Sequence, residues 1–147
     1  MGSSVSSGLL DGQQYIFSDY RYSNIGNDLK DSFIMTYTKN ERNVFIVEYE
    51  GKNRVSLRLA GNGKYMSINP HNRDVFQTRV INQDSVFTPV YEKDYVAFRT
   101  SVGSLIKHDG NQIYHSDDQE ISRDSYFWPS RHYSSSPIPV YDNVVSN

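Results

Sequence analysis

The groups in this chain best able to do chemistry are 17 carboxylates and 4 histidines, and there is no cysteine, so thiol nucleophiles, thiolate metal sites and disulfides are all excluded. A serine nucleophile would be announced by a G-x-S-x-G elbow and a zinc hydrolase by H-E-x-x-H, and the sequence contains neither. Gly61-Asn62-Gly63 lacks the third glycine and the following helix that a dinucleotide loop requires. His115 with Asp117, Asp118 and Glu120 is a dense group of metal-ligand types, yet its spacing fits no common loop and reads as a solvated acidic turn. The remaining carboxylates are scattered over turn-like stretches, with no two placed to face each other as an acid and base pair. No catalytic residue, metal site or cofactor is expected, and the chain reads as a binding protein rather than an enzyme.

Charge narrows the partners. Fifteen basic against 17 acidic residues leave a formal charge of −2, without the basic excess that phosphate contacts need, so nucleic acid is not an expected partner. No run approaches the length of a membrane span, and the first residues lack the charged and apolar regions of a signal peptide. The location stays open, with a cytosolic setting the expectation. Met1-Gly-Ser-Ser-Val-Ser6 satisfies the pattern for myristoylation at Gly2, but with no polybasic segment following, the small polar residues 1–12 read rather as a flexible leader.

The elements that must position any site come from an internal repeat. Val55 to Val90 and Val96 to Ser130 are two copies of one unit, closest where Ile81-Asn-Gln-Asp84-Ser-Val-Phe87-Thr-Pro89 aligns with Ile121-Ser-Arg-Asp124-Ser-Tyr-Phe127-Trp-Pro129. Short alternating apolar runs divide each copy into four strands: 55–59, 64–68, 74–78 and 85–90, then 96–100, 104–108, 112–115 and 125–130. Asn62-Gly63 and Asp109-Gly110 mark turns between strands. A four-stranded unit of about 40 residues cannot cover its own apolar face. A degraded third copy lies upstream, with strand-like runs at 15–18, 21–24 and 33–38 and the segment Asn43 to Leu57 matching Ser85 to Phe98. The expectation is an all-β domain over residues 13–131 with twelve strands in three repeats, no helix beyond a turn or two, and Phe45, Phe87 and Phe127 equivalent in the core. Residues 132–147 follow as a tail in which Pro137 and Pro139 favour an extended run.

Three four-stranded units of this size resemble a β-trefoil, a six-stranded barrel capped by three hairpins. Val55-Ser-Leu-Arg-Leu59, Gly63-Lys-Tyr-Met-Ser-Ile68 and Asp84-Ser-Val-Phe87 are similar to repeats of the fascin and hisactophilin group of trefoils. That resemblance implies the fold and a binding role, since the group contains actin-binding proteins and others with no shared ligand. In the third unit Ser104-Leu-Ile-Lys-His108 and Asp124-Ser-Tyr-Phe127 resemble the Y-L-R-H and D-A-T-F signatures of trefoil sugar-binding modules attached to arabinofuranosidases. The resemblance implies that His108 and Asp124 hydrogen-bond a sugar. Tyr114, Tyr126 and Trp128 are near enough in sequence to cover its C–H face. Only this unit has the pair, because Ile68 and Arg42 stand at matching positions in the other two. Asp124, like Asp84, reads equally as a turn cap, and Trp128 as either an exposed platform or a rim residue of the barrel. Two functions follow: a lectin-like module binding carbohydrate through the third unit, or a protein-interaction module, directed to actin or serving as a subunit of a larger assembly.

Overall fold

The computed structural model describes residues 8 to 132, so the myristoylation pattern at Gly2 and the tail beyond His132 lie outside the described residues. Within them the β-branched and aromatic runs form twelve strands, three sets of four. The first set is β1 (Gln14–Ser18), β2 (Asn24–Asn27), β3 (Phe33–Thr36) and β4 (Phe45–Tyr49); the second is β5 (Val55–Leu59), β6 (Tyr65–Ile68), β7 (Val75–Thr78) and β8 (Thr88–Glu92). The third is β9 (Tyr95–Arg99), β10 (Leu105–Asp109), β11 (Gln112–Ser116) and β12 (Trp128–Arg131). The one helical element among the described residues is a single 3₁₀ turn at Gln83–Ser85.

Pairing follows a three-fold rule. Antiparallel ladders β4–β5, β8–β9 and β12–β1 join successive repeats and close the barrel. Within each repeat the two barrel strands meet only briefly, at Tyr15 with Phe45 (and Gln14 with Ile46) in the first, Val55 with Phe87 in the second and Val96 with Phe127 in the third. The three phenylalanines thus hold matching places, and all are fully buried. The hairpins β2–β3, β6–β7 and β10–β11 close one end as a triangle, through Ser32 with Phe76, Asp74 with Tyr114, and Gln112 with Ile34. A six-stranded barrel capped by a triangle of hairpins is the β-trefoil. Its core is aromatic at the centre, where Phe98 meets Phe17, Phe87 and Phe127 at centroid distances of 5.3, 6.4 and 6.2 Å.

Three expectations need correction. The strand expected at 21–24 instead begins at Asn24 and continues through Gly26 and Asn27, because residues 19–23 are spent on a turn. Gly26 belongs inside that strand for lack of a side chain: a Cβ there would lie 2.7 Å from the Asn43 amide nitrogen. The strands expected from Ser85 and Ser125 start later, at Thr88 and Trp128, because a tight turn fills the interval in both copies. Finally, Leu9 to Gly12, grouped by composition with a leader, pack onto the barrel. Leu9 is 3% exposed and belongs to the main core cluster. Its N–H donates to the Tyr91 hydroxyl at 2.8 Å and its carbonyl accepts from the Tyr49 hydroxyl at 2.6 Å, while the Leu10 N–H donates to the Tyr15 hydroxyl at 2.9 Å. Burial pushes the Tyr91 hydroxyl far above the ordinary tyrosine range.

Candidate functional site

Strand alternation builds the site. Phe127 points into the core, so its neighbours Tyr126 and Trp128 point out, and the pairing of Phe127 with Val96 brings Tyr95 beside them. Ring centroids are 4.6 Å apart for Tyr95 and Trp128 and 5.0 Å for Tyr95 and Tyr126. From the neighbouring repeat, the turn between β1 and β2 contributes Tyr20, over whose ring the Arg123 guanidinium lies at 4.7 Å. Tyr20, Tyr95, Arg123, Tyr126 and Trp128 together line a cleft of about 220 Å³ at the seam between the third and first repeats.

His108 reaches this site from below. Its imidazole is 2% exposed and lies between the Tyr20 and Phe127 rings, at 5.9 and 5.7 Å. Burial holds its pKa below the ordinary value of 6.5, although the Asp19 and Asp124 carboxylates favour the cation. The nearer partner is Asp19, whose Oδ2 is 3.8 Å from His108 Nδ1. Asp19 is itself completely buried. Burial alone would raise its pKa, but hydrogen bonds from Ser23 and Arg21 outweigh that and keep it below the ordinary 3.8. Both residues donate backbone N–H groups to Oδ1, at 2.9 Å from Arg21 and 3.0 Å from Ser23, and side-chain donors to Oδ2.

Asp124 is half-buried beside the cleft residue Arg123, and its carbonyl accepts the His108 backbone N–H at 2.9 Å. The turn-capping role falls not to this aspartate but to the residue after it. Ser125 Oγ accepts from Ser122 N–H at 3.0 Å, as Ser85 Oγ accepts from Asn82 N–H at 2.8 Å in the second repeat. The Asp84 carboxylate meanwhile accepts from the Ser101 hydroxyl at 2.8 Å. Trp128, half-buried, lines the cleft. Tyr114 does not join it. It sits in the hairpin triangle under the Arg73 guanidinium, 4.7 Å away, and lines a different cleft with Asp28, Asp74 and Asp109.

The histidine of the acidic turn is committed elsewhere. His115 Nε2 lies 2.8 Å from the Asn69 carbonyl, which can only accept, so that nitrogen carries the proton and Nδ1 accepts from the Ser104 hydroxyl at 2.8 Å. Asp118 pairs with Lys107.

Sequence reading thus named Tyr126, Trp128, His108 and Asp124 but missed Asp19, Tyr20, Tyr22, Tyr95 and Arg123. A signal for two of them was present: at the position of Tyr95 the other repeats carry Gln14 and Arg54, and at that of Tyr22 the other repeats carry Gly63 and Gly103.

No family model and no curated protein matches the sequence. Solved structures do match in shape. A lectin from Polyporus squamosus, bound to the human-type influenza-binding epitope Neu5Acα2-6Galβ1-4GlcNAc, aligns with TM-score 0.73 and 12% identity over 84% of this chain and 50% of that one. The chain therefore spans half the length of that lectin. SeviL bound to asialo-GM1 saccharide aligns with TM-score 0.70 and 7% identity over 82% of this chain and 98% of that chain. ThreeFoil, a designed three-fold symmetric protein, aligns with TM-score 0.71 and 12% identity over 81% and 98%. At such identities the likeness is one of fold: the chain is a β-trefoil, and its own side chains must specify what it binds.

Proposed function

We propose that the chain is a non-enzymatic, lectin-like module that binds a carbohydrate in the aromatic cleft at the seam of its third and first repeats. The observation that carries this reading is the gathering of Tyr20, Tyr95, Tyr126 and Trp128 with Arg123 around one small surface cleft. Aromatic faces cover the C–H surface of a sugar ring, and a guanidinium with phenol hydroxyls satisfies its oxygens. Two of the structural neighbours, one of them a lectin, hold saccharides, which favours the same ligand class here. The arabinofuranosidase-type assignment of His108 and Asp124 takes a modified form. His108, sealed under Tyr20, positions the ring that covers it, and Asp124, half-buried at the rim, remains the residue of that pair able to touch a sugar.

A glycan array probed with the wild-type chain and with Trp128→Ala tests this. Binding by the wild type should weaken by roughly 5- to 150-fold in Trp128→Ala, the equivalent of about 1 to 3 kcal/mol for a lost stacking face. Tyr114→Ala should leave it unchanged. An empty array for the wild type overturns the reading, and co-sedimentation with filamentous actin would then support the protein-interaction function that the fascin and hisactophilin resemblance implies.

A further inference from the structure

Tyr22 is a bulky residue held in a backbone conformation that its type disfavours. Its φ is +67°, in the left-handed region, where the Cβ of an L-residue crowds the following carbonyl. The same place in the other repeats, two residues before the first hairpin strand, is filled by Gly63 at φ +75° and Gly103 at φ +83°. The turns of the first and third repeats match in hydrogen bonding too, whereas in the second the Gly63 N–H donates to the Leu59 carbonyl at 2.8 Å. Tyr22 N–H donates to the Asp19 carbonyl and Gly103 N–H to the Thr100 carbonyl, each at 3.0 Å. A Cβ added at Gly103 would meet nothing within 4 Å, so a side chain at this position costs backbone strain without any clash. The first repeat therefore accepts a strain that the other two avoid with glycine.

Packing does not recover that cost, because the Tyr22 side chain is 75% exposed. What the conformation achieves is orientation: the Tyr22 ring stands within 6° of parallel to Trp128, with centroids 6.5 Å apart. Asp19 is the device that enforces it. Its buried carboxylate accepts the Arg21 and Ser23 N–H groups on either side of Tyr22 and leaves the turn no alternative. Strain maintained by surrounding hydrogen bonds and directed at a ligand cleft is a mark of function.

Resting on the carbohydrate reading above, we infer that Tyr22 forms a second sugar subsite outside the cleft. The cleft of about 220 Å³ is smaller than a pocket for a drug-sized ligand and suits one sugar ring. Tyr126, Tyr95, Trp128 and Tyr22 continue as a run of rings from the cleft onto the open surface. The favoured ligand is accordingly an oligosaccharide that places one residue in the cleft and the next against Tyr22.

Trp128 is the only tryptophan of the chain, so its fluorescence reports occupancy at this place directly. Three matched pairs serve as probes: methyl β-D-glucopyranoside with cellobiose, methyl β-D-galactopyranoside with lactose, and methyl α-L-arabinofuranoside with α-1,5-arabinobiose. The wild type should bind the disaccharide of at least one pair about tenfold or more tightly than its methyl glycoside. Tyr22→Gly should bind both members alike with no fall in its denaturation midpoint, and Tyr22→Phe should keep the disaccharide preference. A preference that survives in Tyr22→Gly overturns the subsite while leaving the cleft reading intact. A lowered midpoint in Tyr22→Gly overturns it as well, by showing that the ring serves packing on Trp128. Silence from every pair also overturns the subsite, and the wild-type glycan array then decides separately whether the carbohydrate reading falls with it.

Discussion

Asp19 and His108 are two titratable groups buried together under Tyr20, and each stores stability that acid removes. His108, neutral and desolvated, has a pKa below the ordinary 6.5 that it regains on unfolding. Below about pH 6.5 the unfolded chain takes up a proton that the folded one refuses, so stability falls as pH falls until the folded value is passed. Asp19 behaves likewise further down. Its folded pKa lies below 3.8, so its contribution is present above about pH 3.8 and is lost as pH drops through the folded value. The expected outcome is a urea midpoint that declines in two separate acid windows. His108→Ile, which copies the residue at the matching position Ile68, should abolish the upper decline and leave the lower one. An upper decline unchanged in His108→Ile would assign it to another histidine.

The elements were legible to different degrees for a physical reason. β5 ran from Val55 to Leu59 as its apolar residues required, because ladder and propensity agree there, although Ser56 and Arg58 of the alternation are buried along with Val55, Leu57 and Leu59. β2 was misplaced because what excludes residues 21–23 from a strand is the Asp19 carboxylate, and nothing in local propensity shows that an aspartate will be buried under a turn. Leu9 was missed for a similar cause: among serines and glycines it looks like leader, and only the tyrosines at positions 49 and 91, distant in sequence, give it a partner. If this segment is an element of the fold, Leu9→Ala should cost about 2 kcal/mol, the low end for emptying a buried leucine site. A urea titration showing a loss under about 0.5 kcal/mol would return residues 9–12 to the leader.

At the scale of the molecule, the same repeat that made the trefoil readable concealed the site. The repeat fixes matching backbones, and Phe45, Phe87 and Phe127 could be equated from sequence because the core treats the repeats alike. The site depends on where the repeats differ and on which repeat abuts which, and the seam between the third and first copies joins residues as far apart as Tyr20 and Trp128. That asymmetry leads to a prediction about valency. Rotating the aromatic cleft onto the seam of the first and second repeats replaces Tyr126 by Val44, Trp128 by Ile46, Arg123 by Glu41 and Tyr95 by Gln14. A cleft of about 200 Å³ does exist at that seam, but Glu41, Gly61 and Asn62 are among its lining and no aromatic ring is. At the seam of the second and third repeats the corresponding residues are Val86, Thr88, Gln83 and Arg54, and Gly103 stands where Tyr22 does. Among the described residues neither seam offers a stacking face at these positions, so a glycan bound on the array should titrate by calorimetry to one site per chain. The fluorescence of Trp128 should saturate along the same isotherm, and the monomer, being monovalent, should not precipitate a multivalent glycoprotein. A stoichiometry of two or three, or heat that continues after the fluorescence has saturated, would show that sugar is held by what the three repeats share rather than by the aromatic cleft at the seam of the third and first.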